Sequence, residues 1–169
     1  MNKQLVIRIV GILLVFLLQV LVCNRIVFWQ CATPFVIIYL LLKMPSGVSP
    51  YSALTFAFFL GIVTDMFTNT PGLYALALVT AAFVHHYLIN AIQYRDRGEE
   101  SFTPSAAMLG WQGYTIYTTV LTLIFCTVLF CVDSLSFFEP SQLLMRIVGS
   151  TALTTLILLA VEWIYKKRG

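Results

Sequence analysis

The chain has 169 residues, of which 60% are hydrophobic and 10% charged, with a formal net charge of +3 and a mean hydropathy of +0.91. A water-soluble domain of this length could not cover so much apolar surface, so lipid is the expected solvent. The ten Lys and Arg are scattered over segment ends, without a basic stripe or an aromatic platform, which argues against nucleic acid as a partner.

Six apolar segments follow one another at residues 5–23, 26–42, 51–67, 71–92, 114–132 and 143–165, each near the length of about 20 residues that crosses a bilayer core. The first follows a short basic start with no small-residue cleavage site after it, so it is read as a retained span and not a removed signal peptide. The second and third are short enough to stand with little tilt or to be partly re-entrant. Pro34 removes a backbone donor from the second and should kink it.

The breaks have turn chemistry. Pro45-Ser46-Gly47 and Pro50 separate the second and third segments, and Asn69-Thr70-Pro71-Gly72 separates the third and fourth. Thr70 suits an N-cap with Pro71 at the first helical position. Residues 93–103, the longest polar stretch, form a loop in which Arg95, Asp96, Arg97, Glu99 and Glu100 alternate in sign. Thr103-Pro104 repeats the Thr-Pro start, so the fifth helix is expected to begin near Pro104 along the interface, with Trp111 at headgroup depth. Residues 133–140 make the last turn.

These segments predict an all-α fold: a polytopic membrane helical bundle of six transmembrane helices, forming a single integral membrane domain over residues 1–169. With the amino terminus cytoplasmic, that side holds Lys3, Arg8, Lys43, Arg95, Arg97, Lys166, Lys167 and Arg168, against Arg25 and Arg146 outside. This is a strong positive-inside bias, and it puts both termini in the cytoplasm.

Asp65 is the most informative polar residue. An ionised group near a helix centre costs about 3 kcal/mol on insertion scales, so it implies a partner or a task. Gly61 lies one turn earlier on the same face, where a neighbouring helix can approach closely. The start of the fourth helix, with free N–H groups at Gly72, Leu73 and Tyr74, should return alongside. Three readings of Asp65 remain open: a clamp on the hairpin, proton or ion transport, and a polar contact with a partner protein.

His85 and His86 are adjacent, about 100° apart on a helix, and cannot chelate one ion without a third ligand, so interface histidines are expected. Cys23, Cys31, Cys126 and Cys131 lack C-x-x-C spacing and read as small buried hydrophobes, with a Cys23–Cys31 disulfide as the alternative. Arg8 and Glu162 fall at the same depth and could pair between the first and last spans. Gly110, Gly113, Gly149 and Ser150 are small-residue contacts for helix packing. No nucleophile with a base, phosphate-cradling glycine loop or metal cluster is assembled, so no catalytic, cofactor-binding or metal-ligating residue is assigned and no enzyme is expected.

With these residues in view, the chain resembles the rod shape-determining protein MreD family. The resemblance lies in Gly61, Asp65, Pro71, Gly72, Ala75 and Leu76, and in the run TPFVIIYLLLKMP from Thr33 to Pro45; the TNTPG version is most similar to chains of Bacteroidetes-type bacteria. It implies a non-enzymatic role in the cell-elongation machinery of the bacterial inner (cytoplasmic) membrane, without a cofactor. The implied partners are membrane lipid, an MreC-like single-span protein, MreB filaments, a RodA-type glycosyltransferase and its penicillin-binding transpeptidase. The family fold is also similar to the substrate-binding membrane subunit of vitamin-type transporters, which is the alternative function. Gly61, Asp65, Pro71 and Gly72 are the implied structural and partner-interaction motif.

Overall fold

The computed structural model describes residues 3–21, 33–96, 103–106, 108–134 and 140–168; within them, the side chains of 3–10, 13, 92–96, 140 and 165–168 lie outside the description. The described residues are helical throughout apart from turns, with no strand among them. In chain order they form α1 (Lys3–Leu21), a 3-10 turn (Val36–Ile38) running into α2 (Tyr39–Leu42), α3 (Pro50–Thr68), α4 (Leu73–Asp96), α5 (Gly110–Asp133) and α6 (Pro140–Arg168).

Four of these helices, taken as Pro50–Thr68, Leu73–Ala91, Gly110–Asp133 and Ser141–Ile164, are long and apolar enough to cross a membrane. Their outer faces support that solvent: Phe58, Phe59, Met66, Ile116, Leu144 and Leu156 are all exposed. So much large apolar surface on the outside fits lipid and not water.

Local chemistry explains most boundaries. Ser49 accepts a hydrogen bond from Ser52 N (3.3 Å) as the N-cap of α3, and Pro50 occupies the first turn. Asn69 ends α3 in the left-handed conformation (φ 56°), which Asn tolerates better than most residues. The fourth helix does not start at Pro71 as expected. Pro71 and Gly72 make a turn in which Leu73 N bonds to Thr70 O (3.3 Å), and Gly72 sits at φ +83°, so the helix begins at Leu73. The fifth helix likewise starts at Gly110 (φ +72°), after a turn closed by bonds from Met108 N and Leu109 N to Ser105 O, and not near Pro104.

Helices α3 to α6 pack each against the next, and the four-residue link between α3 and α4 makes that pair antiparallel. The segment 33–42 contacts α1, α4 and α6. It is the main departure from expectation. Residues 26–42 have the composition of a lipid-crossing helix, but the part described, from Thr33 onward, is non-helical to Phe35 and then helical for only seven residues. It lies in the core: Ile37, Ile38, Leu41 and Leu42 have no exposed surface and join a cluster with Leu78, Leu121, Phe125 and Leu158. Phe35 stacks edge-on against Tyr74, Phe125 and Phe130, with ring centroids 6.2, 5.4 and 6.0 Å away. Pro34 is the reason the start of this segment is not helical, because it has no N–H and disfavours helical backbone at Thr33.

Candidate functional site

The α3–α4 junction brings the motif residues together. Asp65 sits one turn before the end of α3 and is 5% exposed. Its Oδ1 accepts from Tyr74 N (2.8 Å) and from the Thr70 hydroxyl (3.1 Å), and its Oδ2 accepts from Ala75 N (3.0 Å). Leu76 N bonds to Gly72 O (3.0 Å), which makes Gly72 the N-cap residue of α4, with Tyr74 and Ala75 at its second and third helical positions. Those are the two amides an N-cap side chain normally satisfies. Gly72 has no side chain, so Asp65 supplies the cap from the preceding helix. Thr70 is therefore not the cap; its hydroxyl holds Asp65 and lies 2.6 Å from the Thr68 hydroxyl. The donors are Tyr74 and Ala75 rather than the expected Gly72, Leu73 and Tyr74, because the Pro71–Gly72 turn delays the helix.

Gly61 permits the approach. A Cβ there would stand 2.3 Å from Ala75 Cα and 2.7 Å from Ala75 N. No side chain fits while α4 stays close enough for the Asp65 bonds. Gly61→Ala is expected to push the helices apart at a cost of about 1–3 kcal/mol, the usual range for overpacking. Amide hydrogen exchange reads this directly: Tyr74 and Ala75 should lose protection while the middle of α5 keeps its own.

A second buried carboxylate holds the other end of the bundle. Glu162 on α6 is 3% exposed; its Oε2 is 2.7 Å from Lys43 Nζ and 3.5 Å from the Tyr114 hydroxyl, which donates to it. Its Oε1 accepts from Ala106 N (3.2 Å). Lys43 Nζ also donates to Pro104 O (3.5 Å) and lies over the rings of Tyr39 and Tyr114. The cation seen against Glu162 among the described residues is Lys43; the Arg8 side chain, the other candidate partner, lies outside the described residues.

The broken segment is pinned by side chains that the sequence pattern does not assign to it. Gln19 of α1, fully buried, donates through Nε2 to Pro34 O (3.3 Å) and accepts from Ile37 N (3.2 Å) through Oε1. Ser150 Oγ accepts from Thr33 N and Thr154 Oγ1 from Phe35 N, both at 3.0 Å. Non-helical backbone inside an apolar bundle needs such partners. The only forewarning in the sequence is Pro34 itself, which leaves the preceding turn without a donor.

The remaining candidates separate. His85 is buried and its Nδ1 shares a short hydrogen bond with the Tyr117 hydroxyl, whereas His86 Nε2 lies 3.1 Å from Asn90 Nδ2. The two rings do not converge. Cys126 and Cys131 are free thiols, and Cys23 and Cys31 lie outside the described residues. Gly113 has room, its nearest neighbour being Leu109 Cβ at 3.4 Å from a built Cβ, and Ser150 serves the broken segment.

A cavity of about 690 Å³ opens beside the α3–α4 turn, between α1, the broken segment, α4 and α5. No family model, curated protein or solved structure matches the chain. Fold and site define a class only: an all-helical chain whose described residues include four helices fit to cross a membrane, tied at its two ends by buried carboxylates that hold backbone amides.

Proposed function

We propose that this chain is a non-enzymatic membrane scaffold of the bacterial cell-elongation machinery, of the MreD kind. In this reading it docks an MreC-like single-span protein and links MreB filaments inside to a RodA-type glycosyltransferase and its transpeptidase outside. The observation that carries it is the α3–α4 junction. Gly61, Asp65, Pro71 and Gly72, on which the resemblance rests, form one unit in which the carboxylate is spent on Thr70, Tyr74 and Ala75. A carboxylate used this way favours a rigid shape over a transported proton.

Six passes through the cytoplasmic membrane with both termini inside is part of the same proposal. Leu21, Thr33, Thr68, Leu73 and Asp133 border one cavity, while Lys43, Pro104 and Glu162 meet at the other end of the bundle. The segment from Thr33 to Lys43 therefore runs from one end toward the other, over about 20 Å at the rises of extended, 3-10 and α backbone. In this reading it serves as a pass, made through protein instead of lipid.

Affinity capture of the tagged full chain from membranes in mild detergent tests the reading. Recovery of a single-span protein with an external domain, with or without wall synthases, is the expected result. The cavity favours a second reading, a substrate-binding subunit of a small-molecule transporter. Recovery of an ATPase pair with a coupling membrane subunit would establish that class and end the scaffold proposal.

A further inference from the structure

We draw no further inference here: the strongest candidate, the cluster of buried threonine hydroxyls on α5 and α6, of which Thr122 and Thr155 find no hydrogen-bond partner among the described residues, carries nothing because those oxygens have almost no accessible surface and nothing in the structure shows a ligand that reaches them.

Discussion

Asp65→Asn is expected to destabilise the purified protein by about 3 kcal/mol, the scale of losing one hydrogen bond to a charged acceptor and leaving a buried amide unsatisfied. The replacement keeps the shape of the side chain but not its chemistry. A carboxylate presents two acceptor oxygens, and here each faces an amide, Tyr74 N at 2.8 Å and Ala75 N at 3.0 Å. An asparagine has one acceptor oxygen, so one amide would face an NH₂ group, donor against donor, inside a buried junction. For a chain of this length, the loss corresponds to a fall in Tm of roughly 6–12 °C. Thermal unfolding in one detergent for wild type and variant gives the magnitude, and exchange at Tyr74 and Ala75 gives the location. A variant that melts with the wild type and keeps both amides protected would show that α4 is held by packing alone.

The Asp65 clamp is legible in the sequence because residue spacing and helix geometry are enough to place its parts. Gly61 and Asp65 are four residues apart on one face, and a turn as short as 69–72 leaves the next helix nowhere to go but back alongside. The phase of α4 is not legible in the same way. It depends on Gly72 adopting φ +83°, which pushes the helix start two residues beyond Pro71 and moves the donors to Tyr74 and Ala75.

The second apolar run misleads for a different reason. Residues 36–42 are apolar without a break, and a continuous apolar run has the same appearance whether lipid or protein surrounds it. Pro34 signals a defect. It does not signal that Gln19, Ser150 and Thr154 from two other helices satisfy Thr33, Pro34, Phe35 and Ile37, because sequence fixes depth along a helix but not which helices are neighbours. The part Lys43 plays at Glu162 is hidden for the same reason. Depth along α6 does not tell that Lys43, at the end of the buried segment, reaches the carboxylate.

Glu162→Leu is expected to cost about 3 kcal/mol, because it breaks an ion pair with one partner buried and leaves the other uncompensated. Three groups depend on this carboxylate: the Lys43 ammonium, Ala106 N ahead of α5 and the Tyr114 hydroxyl. Lys43→Met should also destabilise, since Glu162 would then be buried with two neutral donors only. The double variant Lys43→Met/Glu162→Leu is the informative one. Two apolar side chains of similar length cost little desolvation, so most of the loss should be recovered, with a coupling of about 1–3 kcal/mol between the two positions. Unfolding of the two single variants and the double variant under one condition closes the cycle. If the single losses simply add, Lys43 and Glu162 act separately, and Glu162 serves mainly to hold Ala106 N. A recovered double variant would mean that the ion pair joins the end of the buried segment 33–43 to α6. The bundle would then be closed at this end by charge as it is closed at the other by the Asp65 cap, with each carboxylate holding the backbone shortly after a Thr-Pro pair: Tyr74 and Ala75 after Pro71, and Ala106 after Pro104.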